Sequence, residues 1–257
     1  MNNQYINFEQ PLTERMRLFL RVEYLAKKLE HFRMQEHGWE SSTALTALVE
    51  LFSLFERNDI KSEIAKELER HIQRLTRLQG MDGVDGHALN NILNELQHHS
   101  RTLQQSAGKL GQVIRDDELL NSVRQRLTIP GGTCSFDTPS FYYWLHIPFS
   151  MRQALFNQWL APFNPLSQAL NLLLHLTRES ARLQPEIATQ GFYQKTIEMS
   201  ASCPLVQIQL DKNLGVYPEI SGGKYRVSIR FWQFMPTPPH NIPCNLDIAF
   251  QIRCCSV

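Results

Sequence analysis

The hydrophobic pattern of this 257-residue chain changes its period once, near Pro185. Up to about Gln184, apolar residues recur at spacings of three and four, which predicts helices. After Pro185, apolar and polar residues alternate, which predicts strands. Since the two patterns are segregated along the chain, they predict an α+β fold, in which a helical bundle domain is joined to a smaller, mostly antiparallel β domain. We expect the helical domain at 11–190 and the β domain at 1–10 together with 191–257.

Local signals mark the ends of several helices. Asp59 is a suitable N-cap and Gly80 a suitable stop for a helix with isoleucine and leucine on one face. Thr13 is a suitable N-cap for an earlier helix, and Arg21 lies outside the main apolar stripe of that helix. Two more helices are predicted in ALTALVELFSLFER and GHALNNILNELQHHSRTL. The turn-rich GMDGVDG precedes the second of these, and such short connections favour antiparallel neighbours in a bundle.

A later helix is apolar on nearly all of its faces. It lies in FNPLSQALNLLLHLTRES, where Asn164 is the expected N-cap and Pro165 the expected first helical residue. A helix of this kind is buried, either within the bundle or against a second subunit. The sequence leaves both alternatives open.

The β domain is predicted from three alternating segments. They are LVQIQL, KYRVSIRF and NLDIAFQIRCC, and the third puts Leu246, Ile248, Phe250 and Ile252 on one face. Between the first two lies a glycine-containing stretch around Pro218, which is expected to be a long turn region. QYINFEQP near the N-terminus adds a possible edge strand, which would place both chain ends in one β layer.

The strand KYRVSIRF carries a row of cations on one face. Alternation puts Tyr225, Val227, Ile229 and Phe231 on one side, and Lys224, Arg226, Ser228 and Arg230 on the other. Cations two residues apart on a strand lie ~7 Å from each other and repel mildly. The row is either a solvated face with exposed ion pairs, or a site for an acidic peptide or polymer. Nucleic acid is the weaker alternative, because Tyr225 and Phe231 point away from the basic face.

Composition restricts the partners. There are 26 Lys and Arg residues against 25 Asp and Glu, so the formal net charge is +1 and no global basic field attracts nucleic acid. The first residues lack the pattern of a signal peptide, and no stretch of ~18 apolar residues could span a bilayer. Five cysteines without a C-x-x-C pair argue against a disulfide framework and a zinc site, and favour a reducing cytoplasm.

Few residue patterns suggest covalent chemistry. Cys134 follows two glycines and His146 lies twelve residues further on, so a thiol nucleophile with a base is one hypothesis for a small-molecule enzyme. The alternative is a small thiol in a tight loop. SGGKYR lacks the phosphate-loop pattern, and the adjacent His98 and His99 point about 100° apart on a helix. We therefore expect neither a metal nor a cofactor.

Five stretches carry more distinctive patterns: FEQPLTERMRLFLRVEYL (8–25), LFERNDIKSEIAKELER (54–70), VRQRLTIPGGTCSFDTPSFYYWLH (123–146), NPLSQALNLLL (164–174) and YPEISGGKYRVSIRF (217–231). The run R-Q-R-L-x-I-P-G-G-x-C-S-F-D-x-P is the most specific of them. Taken in this order, the stretches resemble the ZapD family of bacterial cell-division factors from about residue 5 to 231. After Phe231 the resemblance fades.

The resemblance implies a function without covalent chemistry. Proteins of this family are cytoplasmic homodimers with a helical domain and a β domain. They bind the C-terminal tail of FtsZ, a tubulin-like GTPase, and cross-link its filaments at the mid-cell division site. We therefore expect a non-enzyme that promotes Z-ring assembly, with FtsZ and a second copy of itself as partners and with no membrane or nucleic-acid ligand.

The resemblance also implies candidate site residues. Arg21 matches the family's L-R-x-E, Arg57 its F-E-R, and the paired arginines of KYRVSIRF its final strand. The candidates for FtsZ-tail binding are therefore Arg21, Arg57, Lys224, Arg226 and Arg230. Arg124 and Arg126 match as well, and they either join this surface or shape the loop that contains Gly131 and Gly132.

Overall fold

The computed structural model describes residues 4–105, 112–197, 203–223 and 225–256, with the backbone alone at 113 and 114. Lys224 lies outside the described residues. The chain divides into two compact units, a helical unit of residues 19–173 and a β unit of residues 1–18 with 174–257. Helices and antiparallel strands are segregated, so the predicted α+β class is confirmed. The predicted domain limits stay a prediction.

The helices are α1 (Glu14–Arg33), α2 (Gly38–Arg57), α3 (Ile60–Thr76), α4 (Gly86–Gln105), α5 (Gln112–Asp116), α6 (Glu118–Arg126), α7 (Pro139–His146), α8 (Phe149–Leu160) and α9 (Asn164–Glu179). Two predicted caps are confirmed. Thr13 Oγ1 accepts a hydrogen bond from Met16 N at 3.2 Å, and Asp59 Oδ1 accepts one from Ser62 N at 3.2 Å. These caps are predictable because they depend only on neighbouring residues.

The start of α9 differs from the prediction. Asn164 has helical backbone angles of φ −51° and ψ −45°, because a 3₁₀ turn at Ala161–Phe163 leads directly into the helix. Asn164 is therefore not an N-cap. The leucine-rich face is buried as expected, at Leu166, Leu170, Leu173 and Leu174.

A carboxylate and an aromatic cluster organise the core of the helical unit. Trp144 packs edge-on against Phe156, which contacts Trp159 in the same way. The indole Nε1 of Trp159 donates to Asp117 Oδ2 at 2.8 Å. The other oxygen of Asp117 caps α6 by accepting from Leu120 N at 2.9 Å. One side chain thus satisfies a buried donor and a helix end together.

The strands are β1 (Tyr5–Pro11), β2 (Gln184–Ala188), β3 (Phe192–Thr196), β4 (Leu205–Asp211), β5 (Val216–Gly222), β6 (Arg226–Phe234), β7 (Asn241–Pro243) and β8 (Ile248–Cys255). One sheet has the order β1-β4-β8-β2 and the other the order β3-β6-β5, with β7 pairing the end of β6. The described pairings are antiparallel. β1 is an edge strand paired with β4, as predicted.

Apolar residues from both sheets form a single buried cluster: Ala188, Val206, Ile208, Leu210, Val227, Ile229, Phe231, Ile248, Phe250 and Ile252 are among its members. The alternation predicted for β6 is therefore confirmed at residues 227, 229 and 231. Tyr225 is an exception, because the strand begins at Arg226 and the Tyr225 side chain is 49% exposed. Leu246 is a second exception, since it precedes β8 and is 62% exposed.

The prediction of a long turn region around Pro218 is wrong, because this segment forms strand β5. Pro218 pairs with Phe231 of β6, and β5 is an edge strand. Proline is tolerated at a sheet edge, where the missing N–H need not join a ladder. The actual turns flank the strand, with Gly215 in the left-handed region at φ +64°.

The prediction that argued against disulfides is wrong for one pair, because Cys203 and Cys254 form a disulfide with Cα atoms 5.7 Å apart. Cys203 lies just before β4, and Cys254 lies in β8 opposite Val206 of β4. The two residues are 51 apart in sequence, so only the strand pairing brings them together. Cys134, Cys244 and Cys255 are free thiols.

An ion pair joins the last turn of α9 to the outer face of the β1-β4-β8-β2 sheet. The Arg178 guanidinium donates to both carboxylate oxygens of Glu9, at 2.7 and 2.8 Å, and both side chains are 20% exposed. Gln207 donates to Glu9, and Arg253 donates to Gln207. The chain ends are therefore linked by a continuous polar network.

We expect Arg178→Met to lower the free energy of unfolding by about 2 kcal/mol, because it leaves a half-buried carboxylate without its charged partner. Equilibrium urea unfolding followed by tryptophan fluorescence measures the change. Arg182→Met is the matched control, since Arg182 is exposed and has no ion pair with a described residue. Equal stability of the two variants would contradict the structural role of the Arg178–Glu9 pair.

Two histidines are buried in the helical unit, His71 on α3 and His99 on α4. His71 is 6% exposed, and its Nε2 has no hydrogen-bond partner among the described residues. Desolvation lowers the pKa of both imidazoles from the ordinary value of 6.5. The folded chain therefore binds protons less readily than the unfolded chain.

Folding lowers the pKa of both histidines, so protonation of these side chains favours the unfolded chain. The free energy of unfolding therefore has its full value above pH 6.5 and decreases as the pH falls below 6.5. We expect the thermal midpoint to fall between neutral pH and about pH 5, and His71→Gln to reduce that fall. His87→Gln is the control, since His87 is exposed on α4. A pH dependence unchanged by His71→Gln would exclude His71 as its source.

Candidate functional site

Two predicted arginines line one open cleft in the helical unit. The cleft has a volume of about 540 Å³ and is formed by residues of α1 and α2 and by the end of α6. We name it the arginine cleft. It is lined by Arg21, Tyr24, Leu25, Thr46, Val49, Glu50, Ser53, Leu54, Arg57, Arg124, Leu127 and Thr128.

The positive charge of the arginine cleft is only partly compensated. Arg21 and Arg57 are exposed, and neither forms an ion pair with a carboxylate of the described residues. Arg124 is different, because its Nη1 lies 3.3 Å from Glu56 Oε2 and its Nη2 donates to Asn121 Oδ1 at 3.1 Å. The cleft therefore presents two guanidinium groups that have no ion pair with a described carboxylate, although the carboxylate of Glu50 also lines it.

Helix periodicity explains why Arg21 and Arg57 face outward. Each arginine lies on a helix whose other side is buried. The buried side carries Phe19 and Val22 on α1, and Leu48 and Phe52 on α2. Leu25, Val49, Leu54 and Leu127 form an apolar wall beside the two arginines, and the Tyr24 ring is largely exposed there. Guanidinium forks beside an apolar wall suit a peptide that carries both carboxylates and apolar side chains.

The structure separates the two alternatives for Arg124 and Arg126. Arg124 lines the arginine cleft, whereas Arg126 is the last residue of α6 and contacts the loop that follows. There, Arg126 Nη1 is 3.8 Å from Asp137 Oδ1, and the Arg126 carbonyl accepts from Ile129 N. A Cβ at Gly132 would lie 2.5 Å from that carbonyl oxygen, so the loop requires glycine at this position. Arg126 thus shapes the loop.

The other predicted arginines lie on one face of β6 in the β unit. Arg226 and Arg230 are both exposed, on either side of Ser228. We name this surface the cationic strand face, and it comprises Arg226, Ser228, Arg230 and Trp232 of β6 with the facing residues Phe192 of β3 and Glu219 of β5. The predicted neighbour Lys224 lies outside the described residues.

Arg230 has two cross-strand neighbours on this face. Its guanidinium carbon lies 5.3 Å from the centroid of the Phe192 ring, within range of a cation–π interaction. On the other side, Glu219 faces Arg230 in the pairing register and accepts a hydrogen bond from Trp232 Nε1 at 2.9 Å. The prediction that aromatic residues are missing from the basic face is therefore wrong, because it considered neither Trp232 further along β6 nor the neighbouring strand β3.

Sequence reasoning thus found the charged residues and missed their surroundings. Arg21 and Arg57 line the same cleft, and Arg226 and Arg230 lie on the same strand face. The cleft residues Tyr24 and Leu127 and the strand-face residue Phe192 were not predicted. Only Tyr24 had a local signal, since it lies one helical turn after Arg21.

The hypothetical thiol nucleophile lacks its base. Cys134 Sγ donates a hydrogen bond to Asp137 Oδ2 at 3.5 Å. His146 Nδ1 lies 2.7 Å from the carbonyl oxygen of Tyr142, where an Nδ1–H donates to that carbonyl. No hydrogen bond joins Cys134 to His146 among the described residues. Each side chain thus has a hydrogen-bond partner other than the one that a nucleophile–base pair requires.

Neither a metal site nor a membrane-spanning helix is found in the described ranges. Within those ranges, no group of three or more His, Cys, Asp and Glu side chains could hold a metal ion. In the same part of the chain, no helix has the length and hydropathy needed to cross a membrane.

A family model described as "ZapD: Cell division protein" matches residues 20–230. A protein from Ralstonia pickettii named Cell division protein ZapD is 40% identical over 252 residues, which cover 98% of this chain and 99% of the relative. The protein of the same name from Methylococcus capsulatus is 36% identical over 255 residues, with 99% of each chain covered. That from Photobacterium profundum is 39% identical over 229 residues, covering 88% of this chain and 91% of the relative.

Proposed function

We propose that this chain, which belongs to the ZapD family of cell division proteins, binds the C-terminal tail of FtsZ. Its part in cell division is then to cross-link FtsZ filaments. It then acts in the cytoplasm at the mid-cell division site, where it promotes assembly of the Z-ring. This function needs no covalent chemistry and no cofactor. Its requirements are a tail-binding surface and at least two such surfaces in each particle.

The arginine cleft is the observation that carries this proposal. Arg21 and Arg57 are exposed without carboxylate partners among the described residues, so an incoming carboxylate need not displace an existing ion pair. The planar guanidinium binds a carboxylate with two parallel hydrogen bonds. The apolar wall beside the arginines accepts the apolar side chains of the same peptide. Glu56 holds Arg124 in place at the edge of the cleft.

The cationic strand face is a second surface suited to acidic peptides. Arg226 has no ion pair with a described carboxylate, whereas Arg230 is flanked by Phe192 and Glu219. An extended acidic segment that passes along β6 would meet the two guanidinium groups in succession.

Cross-linking requires more than one tail-binding site per particle, and we propose that a homodimer provides them. Every subunit of a filament carries a tail, so a contact in the micromolar range, about −8 kcal/mol, is sufficient for each site. Linking two such sites in a dimer raises the overall affinity by ~10²- to 10⁴-fold. Leu166, Leu170, Leu173 and Leu174 of α9 are already buried within one chain, so they do not locate the dimer contact.

The two rival functions have less support. An enzyme that uses Cys134 and His146 would need the thiol and the imidazole in contact, and their hydrogen bonds go to Asp137 and to the Tyr142 carbonyl instead. Nucleic-acid binding has some support, because the aromatic residues Phe192 and Trp232 lie on the cationic strand face. It still lacks the broad positive field that such proteins have, because the net charge of the chain is +1.

We expect Arg21→Glu with Arg57→Glu to lower the affinity for FtsZ polymers at least tenfold, which is ~1.4 kcal/mol, because charge reversal replaces attraction by repulsion of the tail. A second variant, Arg226→Glu with Arg230→Glu, tests the cationic strand face. The measurement is co-sedimentation with pre-formed FtsZ polymers, together with far-UV circular dichroism to check folding.

Two controls make this result specific. Arg74→Glu with Arg77→Glu reverses two cations at the end of α3, which line neither surface, and should leave binding unchanged. FtsZ that lacks its C-terminal tail should fail to sediment the unaltered protein. Normal sedimentation with tail-less FtsZ would contradict the tail as the ligand, whereas normal binding by one arginine variant would exclude only that surface.

Binding should also weaken as salt is raised from about 50 to about 500 mM, since exposed charges are screened over a Debye length that falls below 5 Å in this range. The dissociation constant at each salt concentration is measured with a fluorescent tail peptide. The Arg21 and Arg57 variant should show a smaller salt dependence than the unaltered protein. A dissociation constant independent of salt would mean that apolar contacts dominate.

A further inference from the structure

A small cavity lies beside the disulfide in the β unit. Its volume is about 190 Å³, and part of its wall is apolar, formed by Ile197, Val206, Val227 and Ile252 from β4, β6, β8 and the end of β3. Cys254 lines the same cavity. One sulfur-bearing residue of the Cys203–Cys254 bond is therefore reached from a space large enough for a small molecule.

Cations surround this cavity. Arg182, Lys195 and Arg253 line it together with Cys254. Two of them are paired, Lys195 with Glu186 at 3.4 Å and Arg253 with Glu179 at 3.4 Å. Arg182 is exposed and has no ion pair with a described carboxylate. The cavity therefore has a net positive surrounding, which attracts small anions and stabilises a thiolate over a thiol.

We propose that Cys203–Cys254 is a site of reversible thiol–disulfide exchange with a small anionic thiol, which reaches Cys254 through this cavity. The inference does not depend on the proposed binding of FtsZ. Disulfides in reducing compartments are mostly transient or redox-sensing, so a reversible bond agrees with the expected cytoplasmic location.

The exchange balances in two steps. The thiolate of the small molecule attacks Cys254 Sγ, a new sulfur–sulfur bond forms, and the bond to Cys203 breaks, so that Cys203 leaves as a thiolate and takes a proton from water. A second small thiolate then attacks the mixed disulfide, releases Cys254 as a thiolate and forms the oxidised dimer of the small thiol. Two thiols of the small molecule are oxidised and one protein disulfide is reduced. The reverse sequence uses the oxidised small disulfide as its oxidant.

The remaining cysteines do not compete for this exchange. Cys255 points to the other side of β8, where its thiol donates to the Arg178 carbonyl at 3.8 Å. Burial raises the pKa of Cys255 to about 11, so it stays protonated near neutral pH. Cys244 is buried as well, and Cys134 lies in the helical unit. Because side chains alternate along β8, Cys255 lies on the opposite face from Cys254 and is separated from the Cys203–Cys254 bond.

Opening the bond leaves the sheet paired. β4 and β8 are held by an antiparallel ladder from Leu205–Cys255 to Gln209–Gln251. Cys203 lies outside this ladder, just before β4. Reduction therefore removes only the link between Cys203 and β8, while the strands themselves keep their hydrogen bonds. Both redox forms of the protein should fold.

The test uses the full chain equilibrated with mixtures of reduced and oxidised glutathione, the small anionic thiol chosen as probe. Peptide mass mapping after alkylation in denaturant should show Cys203 joined to Cys254 at oxidising ratios, and both alkylated at reducing ratios. In Cys203→Ser, Cys254 should carry a glutathione adduct. Cys244→Ser, the control, should leave the Cys203–Cys254 bond unchanged.

A second arm tests the role of the cations. Arg182→Glu should slow reduction by glutathione about tenfold, since it removes electrostatic attraction at the cavity. Reduction by cysteamine, whose attacking form carries both a thiolate and an ammonium group and is neutral overall, should be slowed much less. Lys212→Glu is the matched charge reversal in the same unit, away from the cavity, and should change neither rate.

Two results would overturn the proposal. One is alkylation of both Cys203 and Cys254 at every glutathione ratio, because the bond would then not form. The other is equal slowing of reduction by cysteamine and by glutathione in Arg182→Glu, because the cavity would then provide no charge selection. Circular dichroism of each variant shows whether a loss of exchange reflects unfolding.

Discussion

The pairing of β1 with β4 is the constraint on which the β unit depends. It adds residues from the start of the chain to a sheet whose other strands come from the last third. The register of this pair puts Glu9 opposite Gln207, on the face where Arg178 of α9 binds. α1 begins within three residues of β1, so the same pairing also fixes the point at which the helix bearing Arg21 starts.

The parts of the fold that could be predicted depend on neighbouring residues. The caps at Thr13 and Asp59 need only the first turn of their own helices, and the buried face of β6 needs only alternation. Strand β5 could not be predicted, because an edge strand tolerates the proline and glycines that usually indicate a turn. The Cys203–Cys254 bond depends on which strands are neighbours, and alternation within one strand carries no such information.

The same distinction applies to the candidate surfaces. The arginines were predicted from short motifs, and the helix periods of α1 and α2 explain why Arg21 and Arg57 are exposed. What the sequence could not predict is how each charge is balanced. Glu56 compensates Arg124 across 68 residues of sequence, and Phe192 reaches Arg230 from a neighbouring strand. The sequence therefore shows which residues are charged, whereas only the folded surface shows which of those charges are paired.

The two contacts of Asp117 affect how this sequence can diverge. Its oxygens accept from the Trp159 indole and from the first turn of α6 at the same time. Serine or threonine could cap the helix but would not also reach the indole, and asparagine has only one acceptor oxygen. Exchange of Trp159 for phenylalanine would remove the indole donor and leave the Asp117 carboxylate with only the helix cap. Acceptable substitutions at these two positions are therefore coupled, and neutral drift through either one alone passes through a less stable protein.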